Sequence, residues 1–337
     1  MATQPEPSPM LFLETVNGYQ RTAALRAAID LELFSAIGEG VGTSEGLAAR
    51  CGASGRGIRI LCDYLSVVGF LIKEGGTYRL TSDSAVFLDK RSPAYLGGIL
   101  AFINGPELMG AFVNLTETVR RGTTQMKGAG VVDPEDPVWV DFARSMPPMV
   151  GPAAGFIGEV ATKGRRGPLR VLDIAAGHGL FGIAVAKSNP QAEIVALDWP
   201  NVLKVAQENA RAAGVEDRHH LLPGDAFKVD YGSGFDLVLV TNLFHHFDVP
   251  RCESLARKIH ACLKPDGRVI TLEFVPNEDR VSPPIPATFS MMMLGLTPAG
   301  DAYTFLEFDR MFRAAGFTRS EVFQVPHSPQ QLIVSYR

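Results

Sequence analysis

The rhythm of apolar and polar positions changes twice along this chain. From Leu11 to about Asp89 apolar residues recur at helical spacing in short segments. Thr43 is placed to cap a helix carrying Leu47 and Ala48, and Ser54 to cap another with Ile58, Leu61, Cys62 and Leu65 at i, i+3, i+4 and i+7. Phe70–Ile72 and Thr77–Leu80 then flank Gly75-Gly76, a pair that accepts positive φ at both positions of a tight hairpin turn. Residues 92 to 168 predict a helical connector, broken by a Gly- and Pro-rich loop at Gly122 to Pro137. From Leu169 onward strands, predicted near 170–175, 193–198, 219–224, 235–241 and 268–275, alternate with helices near 180–188, 201–213 and 251–263. Thr304-Phe-Leu-Glu307 reads as a capping box for a further helix that stops at Gly316, and two last strands, near 319–325 and 331–336, read as a closing hairpin.

Three helices and a β wing predict a winged helix over residues 1–100. The alternation predicts an α/β domain with a parallel sheet covered on both faces, which with the connector occupies 101–337. A chain of 337 residues exceeds one ordinary core, and 46% apolar residues are enough to fill two. A winged helix raises DNA binding, but the candidate recognition helix offers only Arg56 and Arg59 as strong donors, offset by Asp63, so a dimerisation module is the better reading. With 32 basic and 36 acidic residues the net charge is −4, which draws neither nucleic acid nor an anionic membrane. Met1 to Pro9 has no basic and apolar leader pattern, and no later run is long enough to span a bilayer, so a cytoplasmic protein is expected. Cys51, Cys62, Cys252 and Cys262 form no C-x-x-C pair, and neither a metal site nor disulfides are expected.

The candidate chemistry sits at strand ends. Val171-Leu-Asp-Ile-Ala-Ala-Gly-His-Gly179, Ala196-Leu-Asp-Trp-Pro200 and Leu222-Pro-Gly-Asp-Ala-Phe227 are apolar runs that each deliver Gly or Asp to the carboxyl edge of a sheet, where one nucleoside-sized cofactor could touch all three. Gly177 and Gly179 allow close approach to the backbone, Asp198 can accept both ribose hydroxyls, and Asp225 can face an adenine amino group. Gly177-His-Gly179-Leu-Phe-Gly182 also satisfies the dinucleotide pattern G-x-G-x-x-G, with Asp198 at 21 residues from Gly177. Against a nicotinamide site stands Asp173, an acid in a strand end that dinucleotide folds fill with small apolar residues and one that could anchor an amino-acid tail.

On these residues, and on the order of its parts, the chain resembles the class I S-adenosylmethionine (SAM) dependent methyltransferases. Among them it is similar to the small-molecule O-methyltransferases of the plant caffeate and bacterial polyketide type. The resemblance implies a Rossmann-like, seven-stranded catalytic domain behind an N-terminal winged-helix dimerisation domain, a homodimer, SAM as cofactor and a small, aromatic acceptor. It places the methionine part of SAM on the loop from Asp173 to Gly179, ribose on Asp198, and adenine at Gly224, Asp225, Ala226 and Phe227. Trp199, next to the ribose acid, is expected to cover adenine, with Asn242, Phe142 and Met146 completing the cofactor set. Ala175 and Ala176 stand where the family often has glycines.

The resemblance also assigns a general base, His245 in Thr241-Asn-Leu-Phe-His-His246-Phe247, where relatives commonly have Asp in place of His246. An imidazole can take a phenolic proton near neutral pH. Glu273, 28 residues on, falls at the family's orienting carboxylate. The second glutamate of plant relatives is replaced by Ala302, with Asp301 beside it as a candidate substitute. Adjacent side chains of an extended strand face opposite ways, so only one of His245 and His246 is expected in the site, and His245 is preferred. His178 is either a solvated turn residue or a cofactor contact. Phe289 and Met291-Met-Met293 could roof an aromatic acceptor. Two other readings remain open at this level: a SAM-binding relative that catalyses a non-methylating reaction, and a SAM-sensing winged-helix regulator. A nucleic-acid methyltransferase is disfavoured, because Asn242-Leu-Phe-His245 lacks the prolines of an Asn/Asp-Pro-Pro-Tyr loop.

Overall fold

The computed structural model describes residues 7–133, 136–165 and 167–337; positions 134–135, within the expected Gly- and Pro-rich loop, and 1–6, within the expected leaderless start, lie outside the described residues. The chain divides into two compact units between Leu100 and Ala101. The first contains α1 (Met10–Asp30), α2 (Leu33–Gly38), α3 (Ser44–Arg50), α4 (Gly55–Val67), the hairpin β1 (Leu71–Glu74) and β2 (Thr77–Leu80), and α5 (Ser82–Phe87). Thr43 and Ser54 cap α3 and α4 by accepting from the Gly46 and Gly57 N–H groups. Pairing of Leu71 with Leu80 through Glu74 with Thr77 leaves Gly75 and Gly76 in the turn at φ +54° and +83°, as their missing side chains permit. Arg59, one of the two candidate donors of the recognition helix, is held by Asp63 at 3.0 Å, and the same carboxylate accepts from Tyr78 and Lys73.

The boundary falls at the first residue of α6 (Leu100–Ile103), and the second unit continues with α7 (Pro106–Val113), α8 (Leu115–Arg121), α9 (Val138–Ser145) and α10 (Pro147–Thr162). There follow β3 (Leu169–Ile174), α11 (Leu180–Ser188), β4 (Ala192–Asp198), α12 (Pro200–Ala212), β5 (His219–Pro223), β6 (Phe235–Thr241), α13 (Val249–Cys262), β7 (Leu263–Glu273), α14 (Pro284–Leu296), α15 (Phe305–Ala314), β8 (Arg319–Gln324) and β9 (Gln331–Tyr336). The seven strands run in the order β5-β4-β3-β6-β7-β9-β8; β3 to β7 are parallel, and β8 and β9 form the antiparallel hairpin at one edge. Every residue of β6 is buried, which is why its sequence reads as a continuous apolar run rather than an alternation. β7 begins at Leu263, earlier than its periodicity predicts, because Leu263 pairs with Phe235 across a register shift.

Helices cover both faces. Ile157, Phe181, Val185 and Leu239 meet on one side of the sheet; Val238, Val240, Ile259, Phe308 and Phe312 meet on the other. Thr304 and Glu307 form the expected capping box at the start of α15. The chain turns from β3 outward to β4 and β5, then returns to β6 and proceeds to β7. This reversal opens a crevice above the carboxyl ends of β3 and β6, where α/β folds hold their ligands.

Candidate active site

Asp173 lies inside β3, fully buried, with Oδ2 accepting from the Gly182 N–H at 3.1 Å and Oδ1 without a partner among the described residues. Burial is the main cause that raises its pKa to about 7; the Gly182 N–H opposes this and the charge of Asp198 adds to it. The chain then turns sharply: Ala175, Gly177 and Gly179 have φ of 55°, 57° and 74°. Ala175 is the exception, since a left-handed conformation costs a non-glycine residue about 1–2 kcal/mol. Ala175, one of the two alanines that stand where the family often has glycines, is therefore a strained residue. Gly179 lies so close to α12 that a Cβ there would stand 3.0 Å from the Ala206 side chain, whereas a Cβ on Gly177 would meet nothing nearer than the Ala175 carbonyl oxygen at 3.9 Å.

Asp198, at the end of β4, fixes this loop from the side. Its Oδ2 accepts from the Gly177 N–H at 2.8 Å and its Oδ1 from the Trp199 N–H at 2.7 Å. Each oxygen keeps a further lone pair, so the carboxylate can still take two hydroxyl donors. Burial raises its pKa to about 6 against those two N–H bonds. The Gly224 N–H donates to the Asp198 carbonyl, tying the ends of β4 and β5 together, and Asp225 Oδ1 accepts from the Phe227 N–H. Phe227 meets the edge of Phe247 at 4.9 Å, and the Arg251 guanidinium lies over both rings, at 4.7 and 4.9 Å. Neither Phe247 nor Arg251 has a sequence signal; α13 brings Arg251 back over the rings. Trp199 N-caps α12 and packs beside Val202, Val205 and Ala143.

His178 is buried, not solvated. Its Nδ1 accepts from the Leu180 N–H at 3.1 Å, its ring lies nearly parallel to Phe142 at 6.5 Å, and burial lowers its pKa to about 4. Phe142 in turn meets Trp139 at 5.7 Å and Phe102 at 5.2 Å, and Met146 follows as the C-cap of α9. Asn242 leaves β6 with φ 55°, and its side-chain oxygen accepts from Gln330 in the β8–β9 connection.

Beyond Asn242 the backbone folds into one 3₁₀ turn, Phe244–His246, and Glu273 at the end of β7 organises it. Glu273 Oε1 accepts from the Leu243 and Phe244 N–H groups at 3.0 and 2.9 Å, while Oε2 lies 2.5 Å from His245 Nδ1. All three residues Glu273, His245 and His246 are buried. The turn overturns the expectation that the two histidines face opposite ways. Their rings are 4.2 Å apart and Nε2 of one is 3.1 Å from Nε2 of the other, because alternation holds for extended backbone and this backbone is not extended. Phe289 stands edge-on to His245 at 4.9 Å and Trp139 edge-on to His246 at 5.2 Å. Met291 and Met292 line an open groove with Phe112 and Thr288.

Asp301 does not join this group. Its carboxylate pairs with Arg280 at 3.3 Å and accepts from the Ala302 N–H, and its side chain is 40% exposed. The neighbouring Gly300 is what touches the turn, so close that a Cβ there would lie 2.2 Å from the His245 carbonyl oxygen. Among the described residues no three His, Cys, Asp or Glu side chains gather as metal ligands, and no helix is long and apolar enough to cross a membrane.

A seven-stranded sheet with an antiparallel edge hairpin, a glycine turn after its first parallel strand and acids at the next two strand ends defines the class I methyltransferase fold. The chain belongs to the O-methyltransferase family: residues 166–318 match the O-methyltransferase domain and residues 13–90 the O-methyltransferase dimerisation domain. It is 30% identical over 319 residues to 3-hydroxy-5-methyl-1-naphthoate 3-O-methyltransferase of Streptomyces sahachiroi, covering 91% of this chain and 89% of that one. A crystal structure from Nostoc punctiforme PCC 73102, provisionally assigned as an O-methyltransferase, is 50% identical with a TM-score of 0.96, covering 98% of this chain and 100% of the other. Human N-acetylserotonin methyltransferase in complex with SAM shares the fold, with a TM-score of 0.84 at 20% identity over 100% of this chain and 99% of its own. The protein is accordingly a SAM-dependent O-methyltransferase of small molecules. The residues present fit that cofactor: the unpartnered Asp173 Oδ1 is a buried acceptor in want of a donor, and the space beside Gly177 is one that a side chain would fill.

Proposed function

We propose that the protein methylates a hydroxyl group of a small aromatic molecule, with His245 as general base, as a cytoplasmic homodimer. The observation that carries this reading is the 2.5 Å contact between His245 Nδ1 and a Glu273 carboxylate whose other oxygen is taken by two backbone N–H groups. A carboxylate accepts only, so His245 must carry its proton on Nδ1, and Nε2 is left as the basic nitrogen. When bound, SAM supplies an electrophilic methyl group on a sulfonium. Asp173 and the turn at Gly177 and Gly179 would hold its methionine part, Asp198 its ribose, and Gly224 to Phe227 its adenine, with Trp199, Phe142 and Met146 alongside. Glu273 keeps the imidazole oriented and stabilises the imidazolium formed when a proton arrives.

An aromatic acceptor fits the ring surfaces around the histidines, Trp139 and Phe289. The relatives' own names point the same way, a hydroxynaphthoate for one and N-acetylserotonin for another. The test is His245→Ala assayed with labelled SAM against a panel of phenols, hydroxynaphthoates and hydroxyindoles. Calorimetry with S-adenosylhomocysteine should give wild-type affinity while turnover falls by about 10²- to 10⁴-fold, the usual worth of a positioned base. Unchanged turnover would remove His245 from proton transfer and leave proximity as the source of rate.

A further inference from the structure

The base proposed above is not free. Nε2 of His245 already has a neighbour at 3.1 Å, Nε2 of His246. With the His245 proton held on Nδ1 by Glu273, a hydrogen bond between the two Nε2 atoms requires that His246 be the donor. His246 is then neutral, protonated on Nε2, and its Nδ1 is a bare lone pair. That Nδ1 is buried and has no partner among the described residues, and the polar group of the neighbouring ring is taken up elsewhere, because Trp139 Nε1 donates to the Val131 carbonyl at 2.8 Å. A buried acceptor left unpaired is destabilising and so calls for a donor. In the series Glu273, His245, His246 it is the one ring nitrogen that could accept from an incoming hydroxyl.

We propose that His246 is a second catalytic residue, which takes the acceptor's proton on Nδ1 and passes its own Nε2 proton to His245. The inference rests on the reading of His245 and Glu273 given above. In the step the acceptor O–H bond breaks and a bond to His246 Nδ1 forms, while the His246 Nε2–H bond breaks and a bond to His245 Nε2 forms. One proton leaves the acceptor and one arrives on His245. His246 ends neutral in the opposite tautomer, and the positive charge rests on the imidazole beside the Glu273 carboxylate. Burial, and then the proximity of His245, hold the pKa of His246 well below that of an ordinary imidazole, so the charge does not stay on it. The short turn makes the relay geometrically available, since it sets both rings on one side of the chain.

Two measurements test this. In enzyme saturated with S-adenosylhomocysteine, long-range ¹⁵N NMR of the histidine rings should show His245 protonated on Nδ1 and His246 on Nε2; a His246 proton on Nδ1 overturns the relay without any assay. In turnover, His246→Gln keeps a hydrogen-bonding side chain that cannot pass a proton. It should lower kcat by about 10²-fold or more with the best un-ionised phenol of the panel, yet recover to near the wild-type rate with 4-nitrophenol at a pH where that phenol is ionised and needs no base. If His246→Gln turns over normally while His245→Ala does not, the relay is wrong and the single-base reading stands. If both turn over normally, the base reading itself fails. A loss in His246→Gln that persists with the ionised phenol marks His246 as structural and also overturns the relay.

Discussion

If Asp173 and Asp198 hold the cofactor as proposed, its arrival changes the surroundings of two buried carboxyls. Burial raises them to about 7 and about 6, so near pH 6 both carry protons for part of the time. A ribose diol and a cationic methionine group favour the ionised carboxylates, so binding must lower both values and release protons. By linkage the affinity for SAM rises with pH between about 6 and 8 and then levels off. Calorimetry at pH 6, 7 and 8, in two buffers of different ionisation enthalpy, should report that proton release. An affinity flat across this range would mean that neither acid touches the cofactor. His178 would not contribute, since its lowered pKa keeps it neutral throughout.

Among the elements, the connection between α14 and α15 packs against the turn that carries His245 and His246. Gly300 packs against the peptide of His245 and His246, and its own N–H donates to Thr297 Oγ1. A methyl group placed 2.2 Å from the His245 carbonyl oxygen cannot be accommodated by a side-chain rotation, because the atom it meets is backbone. Gly300→Ala should therefore displace the turn and lower kcat by about 10²-fold, the scale of a 1 Å misplacement, while S-adenosylhomocysteine affinity stays unchanged. A variant with full activity would show that the turn moves freely and that its position does not set the rate. Asp301, by contrast, can be lost at little expense to turnover, since its partner is Arg280.

For the whole molecule, the question is what covers α1. Leu11, Phe12 and Tyr19 are 77, 67 and 68% exposed, an unusual density of large apolar side chains on one helix. Residues 13–90 match a dimerisation domain, and a second copy of the chain is the partner that domain implies. Light scattering should give twice the mass of the 337-residue chain, and the double substitution Leu11→Asp, Phe12→Asp should shift it toward the monomer. A monomeric wild type at micromolar concentration would overturn the homodimer.

Much of this was legible in the sequence because it depends on near neighbours. The caps at Thr43, Ser54 and Thr304, the Gly75-Gly76 turn and the apolar runs of β3 to β6 are all settled within a few residues. The spacing of Asp173, Gly177 and Asp198 then follows from strand and helix lengths. What only the tertiary structure decided depends on partners far along the chain. Glu273 bonds the Leu243 and Phe244 N–H groups from another strand and so folds the histidines to one side; Arg280 draws Asp301 away; Gln330 takes Asn242. Periodicity encodes which face of an element is buried, but a turn held by a distant carboxylate has no period, and its geometry exists only once β6 and β7 lie side by side.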